Sequence, residues 1–137
     1  MKKRTILILP LLLAFLFLSP SYAQKQSEID KCFNYTKAGD YQKAIEAGKK
    51  AVKLYPKDAD AHYCLSQSYQ LTGRLNPALE HMKKAEKYAS SKQQLMLVYN
   101  QFGIIYWKSG DLDNAIMFNS RYMSLARELG DTREVAT

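Results

Sequence analysis

The sequence predicts an all-α fold in which three antiparallel helix pairs stack into an α-solenoid. A glycine-containing motif occurs three times, as "AGDYQKAI" from residue 38, "TGRLNPAL" from residue 72 and "SGDLDNAI" from residue 109. Each motif lies between two stretches whose apolar residues recur at the three- and four-residue spacing of a helix. The motif glycines are 34 and then 37 residues apart, which is typical of a helical repeat array.

Each repeat is therefore predicted to contain a helix, a tight turn at the glycine and a second helix. Asp40 and Asp111 directly follow two of the glycines, where their side chains can accept hydrogen bonds from the free N–H groups of the second helix. In the middle repeat Asn76 is predicted as the cap and Pro77 as a first-turn proline. Asp58 is predicted to cap the first helix of that repeat.

The first 23 residues, MKKRTILILPLLLAFLFLSPSYA, have the layout of a secretory signal peptide. Basic residues at positions 2–4 precede an apolar run over residues 6–18, and Ser21 and Ala23 are the small residues that a signal peptidase requires. The run of about thirteen residues is shorter than the ~20 needed to cross a membrane. Cleavage after Ala23 is favoured over a retained anchor, and we expect an exported bacterial protein, periplasmic or secreted.

The charge and motif content argue against several function classes. The formal net charge is +7, and loss of the three basic residues of the signal peptide leaves +4, without the dense basic stripe of a nucleic-acid binder. The sequence has no glycine-rich phosphate loop, no G-x-S-x-G elbow and no H-E-x-x-H pair. We therefore predict no enzyme activity, no catalytic residue, no cofactor and no metal.

The repeated residues resemble those of the tetratricopeptide repeat (TPR), which has a large residue, Leu, a small residue and Tyr before the glycine turn, and two alanines and a proline after it. The resemblance covers nearly all of residues 25–130. It divides the chain into repeats over 24–58, 59–92 and 93–130, with 131–137 as the start of a further helix or a frayed end. The matching residues are Cys32, Tyr35, Gly39, Tyr41, Ala44, Ala51 and Pro56 in the first repeat, Leu65, Ser66, Tyr69, Gly73, Ala78 and Ala85 in the second, and Tyr99, Phe102, Gly103, Tyr106, Gly110, Leu112 and Ala115 in the third.

The third repeat departs from the pattern and resembles the longer-helix variety of these repeats. Tyr122 replaces the second alanine, and three extra residues lie near residues 92–95. Gly130 is predicted to end the second helix, and Asp131 with Glu134 to form a capping box for a new one. A last repeat normally has a polar outer face, whereas this helix is apolar over much of its surface. We expect the chain to be the first part of a longer polypeptide, the alternative being that another molecule covers this end; the apolar residues are Ile116, Phe118, Tyr122, Met123 and Leu125.

The two histidines and two cysteines are predicted to be structural. His62 and His81 lack partners at metal-ligand spacing, so His62 is predicted to replace an aromatic ring in the stack and His81 to lie at the surface. Cys32 and Cys64 lie on the first helices of neighbouring repeats, and in an exported chain a disulfide is one interpretation. Two buried free thiols are favoured, because Cys64 lies two residues before the position equivalent to Cys32.

The resemblance implies a right-handed solenoid whose first helices line a concave side that receives an extended peptide or a helix. Aromatic anchors beside amides and a few cations suit a peptide with acidic or polar side chains. Trp107 is predicted to bind the peptide, and the alternative is that its ring packs between repeats. The predicted peptide-binding residues are Phe33 and Lys37 of the first repeat, with Ile29 on the same face, Tyr63, Gln67 and Gln70 of the second, and Asn100, Gln101, Ile104, Trp107 and Lys108 of the third.

These predictions together describe a protein–protein interaction module that is exported and binds a peptide or protein on its concave face. By family analogy we expect the N-terminal part of a larger envelope sensor or scaffold. The alternative is a small stand-alone adaptor or assembly factor that self-associates through its last repeat. Nucleic acid is not an expected partner, and membrane contact is expected only through the transient signal peptide or a further segment downstream.

Overall fold

The computed structural model describes the backbone of residues 20–134 and the side chains of residues 23–130, and this region forms helices and turns without a strand. Of the predicted signal peptide over residues 1–23, residues 1–19 lie outside this region and residues 20–23 form the start of the first helix. None of the described helices is long and apolar enough to cross a membrane. The predicted all-α fold is confirmed, with helices α1 (Pro20–Ala38), α2 (Tyr41–Leu54), α3 (Ala59–Leu71), α4 (Leu75–Tyr88), α5 (Lys92–Ser109) and α6 (Leu112–Glu134).

The helices stack in chain order, because each packs on the next and the first helices of neighbouring pairs also pack on one another. Gly39, Gly73 and Gly110 make the turns within the pairs, with φ of 79°, 75° and 80°. These angles lie in the left-handed region that glycine adopts without a steric penalty. After the first turn, the Asp40 N–H donates to the Tyr35 carbonyl over 2.9 Å and closes the helix end.

Aspartate side chains cap three of the helices as predicted. The carboxylate of Asp40 accepts from the Lys43 N–H at 3.3 Å, and that of Asp58 accepts from the Ala61 N–H at 2.9 Å. Asp111 caps α6 by accepting from the N–H three residues later, at 3.2 Å. Each bond satisfies a backbone donor that the first turn of a helix leaves free.

The predicted cap of the middle repeat is wrong. α4 begins at Leu75, so Asn76 already lies inside the helix, and Arg74 at the N-cap position makes no side-chain capping bond. Pro77 does lie in the first turn, as predicted. Because the helix already includes Leu75, Asn76 lies within the first turn and not at the flanking position from which a side chain can cap the helix.

One continuous core extends through all three pairs. The hydroxyl of Ser66 donates to the Ala78 carbonyl at 2.6 Å, and Gly48 lies so close to Leu65 that an added Cβ would be 3.0 Å from the leucine Cβ. Small residues thus let neighbouring helices approach closely, as predicted for Ser66. The buried residues of the main cluster are Ile45, Leu65, Tyr69, Ala78, Met82, Ala85, Val98, Phe102, Ile105 and Phe118.

Helix α6 continues through Gly130 to Glu134, so the prediction that Gly130 ends the helix is wrong. Consequently Asp131 does not begin a new helix. A glycine within a helix destabilises it by only about 1 kcal/mol relative to alanine. The left-handed conformation that ends α1, α3 and α5 is adopted by the glycines at those turns and not by Gly130.

The prediction of two free thiols is also wrong, because Cys32 and Cys64 form a disulfide between α1 and α3 with a Cα–Cα distance of 6.2 Å. One helical turn further along, the hydroxyls of Thr36 and Ser68 lie 3.0 Å apart. These four small side chains face one another in two layers and allow a close approach of the two helices. The prediction of free thiols compared only the positions of the two cysteines within their repeats. It did not take into account that four small side chains let α1 and α3 come close together.

Candidate peptide-binding groove

The first helices of the three pairs lie side by side, since α3 contacts both α1 and α5. Side chains that these helices direct away from their second helices therefore share one surface. We call this surface the first-helix groove and define it by Phe33, Lys37, Tyr63, Gln67, Leu71, Leu97, Asn100, Ile104, Trp107 and Lys108, which are all exposed or half-buried.

A pocket of about 480 Å³ lies between α1 and α3. A pocket of this size can accept one large side chain. Phe33, Lys37 and Gln67, all predicted from the sequence, are part of its lining. The ring of Phe33 lies against that of Tyr63, with centroids 6.2 Å apart and planes tilted by 36°. The other lining residues were not predicted from the sequence; they are Asn34, Thr36 and Leu71.

The base of this pocket is fixed by bonds between α1 and α3. The Thr36 hydroxyl lies 3.0 Å from the Ser68 hydroxyl and donates to the Cys32 carbonyl over 2.9 Å. The Cys32–Cys64 disulfide joins the same two helices one helical turn earlier. Because each polar group at the base has a partner, an entering ligand meets a preformed surface and does not leave a buried donor unpaired.

Tyr63 contributes a neutral phenol to the groove. Burial raises the pKa of its hydroxyl above the usual value, because a phenolate is poorly solvated there. The hydroxyl can therefore donate or accept a hydrogen bond throughout the physiological pH range.

The α5 side of the groove is an apolar stripe interrupted by one amide. Leu97, Ile104 and Trp107 lie within one face of the helix, with Asn100 between them. Trp107 is 66% exposed and Leu97 48% exposed, so both side chains are accessible in the part of the chain that the structure describes. Leu97 was missed by the sequence analysis, although its seven-residue spacing from Ile104 placed it on the same face.

Two cations lie where the first helices end. Lys37 is in the last turn of α1 and Lys108 in the last turn of α5, and both are exposed. Their charges favour an acidic group on a bound peptide, and their position at helix C-termini also complements the helix dipole.

Three predicted residues of this face are not accessible in the structure. Gln70 and Gln101 are buried, and the Gln101 side-chain amide donates to the Gln70 side-chain oxygen over 3.1 Å. Ile29 is also buried, at 4% exposure, and packs with Ala51 and Ala61. These residues join the helices beneath the groove and do not line it.

The histidines lie on a different part of the molecule, between α3 and α4. His62 stacks on His81 and on Tyr88, with centroid distances of 5.3 and 5.9 Å, as predicted for a residue that replaces an aromatic ring. The prediction of a surface position for His81 is wrong, because its ring is half-buried and also stacks on Tyr69. Sequence spacing alone does not show that the two rings meet across a helix pair.

The hydrogen bonds of this pair define its tautomers. His62 Nε2 lies 2.8 Å from the Pro56 carbonyl oxygen, which can only accept, so this nitrogen carries the proton. His62 Nδ1, 3.0 Å from His81 Nδ1, is then the acceptor in the neutral pair, and His81 Nδ1 is the donor. Burial lowers the pKa of both rings, to about 4 for His81, where the neighbouring His62 and Lys84 add to the effect.

In the part of the chain with described side chains, no group of three or more His, Cys, Asp or Glu residues is placed to hold a metal ion. Among curated proteins, no sequence matches this chain. Two stretches match family descriptions: residues 34–73 match "TPR repeat" and residues 98–129 match "Tetratricopeptide repeat". Together these matches cover just over half of the chain, which therefore belongs to the tetratricopeptide repeat family of protein-interaction modules.

Proposed function

We propose that the chain is an exported interaction module that binds an extended peptide segment of a partner protein in the first-helix groove. The observation that carries this proposal is the open pocket between α1 and α3, which lies on the same surface as the exposed ring of Trp107. Large exposed aromatic rings and preformed pockets are both common anchors of protein interfaces.

The chemistry of the groove suits a peptide with apolar and acidic side chains. Phe33 and Leu71 supply apolar walls for one inserted side chain. Gln67 and Asn100 can exchange hydrogen bonds with the backbone of the peptide. Lys37 can pair with an acidic side chain without first being buried, since it is exposed.

Export is supported by two independent features. The first 23 residues have the layout of a signal peptide, and disulfides such as Cys32–Cys64 persist mainly in oxidising compartments. The proposed location is the bacterial periplasm or the exterior. N-terminal sequencing of the protein from its own cells tests this, since Gln24 should be the first residue, whereas an N-terminus at Met1 would contradict export with cleavage.

Within that compartment we propose a role as the ligand-binding part of an envelope sensor or scaffold. A stand-alone adaptor that self-associates is the second candidate, and one observation favours it. Ile116 and Met123 on α6 are 65% and 57% exposed, which leaves an apolar surface at the end of the stack that another protein surface could cover.

Peptide binding can be tested with random peptides displayed on phage and selected on the immobilised, oxidised chain. Selected peptides are then measured by fluorescence anisotropy against Lys37→Glu and Trp107→Ala. Both positions are exposed, so the substitutions should leave the fold intact and raise the Kd about tenfold or more. Because the chain contains a single tryptophan, a change in its emission on binding would also report contact with Trp107 directly.

Leu54→Ala is the matched control, since Leu54 is an exposed leucine of α2, outside the groove. Its Kd should equal that of the wild type. The proposal is overturned if no peptide is selected, or if Lys37→Glu and Trp107→Ala bind the selected peptides as tightly as the control.

A further inference from the structure

The two ends of the helical stack differ in polarity. On α1, the face that points away from the rest of the stack is polar and exposed. The same face of α3 is buried against the preceding pair. The exposed residues are Ser27, Asp30, Lys31 and Asn34, and the buried residues 34 positions later are Ala61, Cys64, Leu65 and Ser68.

At the other end, α6 presents a face that is covered in the preceding pairs. Ile116 and Ile45 each lie six residues after a turn glycine, yet Ile45 is 1% exposed and Ile116 is 65% exposed. The same holds three residues later, where Gly48 is buried beneath α3 and Asn119 is exposed. The difference arises because α3 covers α2, whereas no described helix covers α6.

A shallow groove of about 410 Å³ runs along this face. We call it the α6 outer face, defined by Ile116, Asn119, Ser120, Met123, Ser124 and Arg127. Asp113 and Arg127 lie seven residues before and after Ser120, on the same side of the helix. Their opposite charges are therefore placed symmetrically about Ser120.

We infer that the α6 outer face is covered by α6 of a second copy of this chain, in an antiparallel, two-fold symmetric pair centred near Ser120. In that arrangement Asp113 of one copy lies opposite Arg127 of the other, and this ion pair forms twice. Ile116 and Met123 lie four residues before and three residues after Ser120, so Ile116 of one copy lies within one residue of Met123 of the other, also twice, and the exposed apolar side chains bury one another. Charge complementarity and apolar burial thus favour the same register.

The difference in polarity between the two ends of the stack favours the two-fold pair over a head-to-tail arrangement, in which α1 of one copy would pack on α6 of the next. If α1 of a second copy covered α6, the exposed charged side chains of Asp30 and Lys31 would lose their contact with water against the apolar Ile116, which is costly. A two-fold pair instead brings the same apolar face together and closes, which prevents growth into filaments. Glu128 does not compete for Arg127, since it forms an ion pair with Lys92 of α5.

This inference deepens the second proposed function, self-association, and rests on it. It does not involve the first-helix groove, which is formed by α1, α3 and α5. A bound peptide and a second copy of the chain would therefore occupy different surfaces.

The test is sedimentation velocity of the purified full chain from about 1 to about 200 µM, a range that brackets the affinity of a small interface. The wild type should dimerise. Asp113→Arg alone and Arg127→Asp alone each place like charges opposite one another twice, and each should raise the dimer Kd about tenfold or more. The double variant Asp113→Arg/Arg127→Asp should restore the dimer.

A mixture of the two single variants provides the sharpest result, since each chain then offers the charge that the other needs. The mixture should form a one-to-one heterodimer, while each single variant remains monomeric. Ile116→Asp should also give a monomer, and Leu54→Asp, an equally non-conservative change at an exposed position of α2, should not. A wild type that stays monomeric at the highest concentration overturns self-association itself. A wild-type dimer that both charge reversals leave unchanged overturns only the antiparallel register.

Discussion

Cys32 of α1 and Cys64 of α3 are joined by a disulfide that closes 32 residues of sequence. The bond connects the first helices of two different pairs. In a solenoid, each repeat is held mainly by packing against its neighbours. Here a covalent bond also holds the first pair against the second. It also fixes the spacing of the two helices that form the pocket.

Replacing both cysteines should therefore lower the free energy of unfolding. For the variant Cys32→Ser/Cys64→Ser we expect a loss of about 3 to 4 kcal/mol, because the unfolded chain regains the entropy that a loop of this length removes. Urea unfolding followed by circular dichroism measures the difference. Reductant should lower the stability of the wild type by a similar amount and leave the double variant unchanged; a double variant as stable as the oxidised protein would contradict the prediction.

The His62–His81 pair should make stability depend on pH. Burial lowers the folded-state pKa of His81 to about 4, whereas an exposed histidine titrates near 6.5. The unfolded state therefore binds more protons between these values, and stability present above about pH 6.5 is lost as the pH falls towards 4. For His81 alone the loss by about pH 5 should be at most about 2 kcal/mol, and the lowered pKa of His62 adds to it. The total is measured as the change in urea unfolding between about pH 7.5 and about pH 5.

The variant His81→Gln is the control for this effect, since it removes the titrating ring and keeps a polar side chain of similar reach. Its stability should be lower than that of the wild type at neutral pH and should change less between neutral pH and about pH 5. An unchanged pH dependence in the variant would show that other groups, such as the carboxylate of Glu80 beside Lys84, cause the acid sensitivity.

Gln101 should matter for stability and not for ligand binding. Its side chain is buried and donates to Gln70 over 3.1 Å, so Gln101→Ala leaves the Gln70 oxygen without a donor. We expect a loss of about 1 to 3 kcal/mol in urea unfolding. Asn100→Ala is the matched control on the neighbouring, half-buried position, and it should weaken peptide binding with little change in stability. The opposite pattern would place Gln101 in the groove.

The features of the fold that were predictable from the sequence are local. The glycine turns and the capping bonds of Asp40, Asp58 and Asp111 depend on residues within a few positions of one another. The course of α6 through Gly130 was not predictable in the same way, because a glycine permits a helix end without imposing one. The disulfide required the distance between α1 and α3, which sequence spacing does not contain.

The candidate groove shows the same division. Helical periodicity correctly placed Phe33, Lys37 and Trp107 on an accessible surface. It did not separate Asn100 from Gln101, since neighbouring residues differ by only about 100° around a helix and the boundary of a buried face depends on the next helix. Gln101 is buried because α3 covers that side of α5, as its hydrogen bond with Gln70 shows.

Two glycines at helix contacts should respond differently to substitution by alanine. A Cβ on Gly48 would lie 3.0 Å from the Leu65 Cβ and 3.2 Å from its Cα, and the backbone of α3 cannot move aside without disturbing the core. Gly48→Ala should therefore destabilise the protein by about 1 to 3 kcal/mol, even though alanine favours a helix.

A Cβ on Gly103 would instead meet the end of the Asn119 side chain, which is exposed and can rotate away. Gly103→Ala should be neutral or stabilising by up to about 1 kcal/mol, because the gain in helix propensity is then not offset by a clash. Thermal unfolding of the two variants provides the comparison. If Gly103→Ala is as destabilising as Gly48→Ala, Asn119 is held in place, and Gly103→Ala combined with Asn119→Ala should recover the stability because it removes the obstructing side chain.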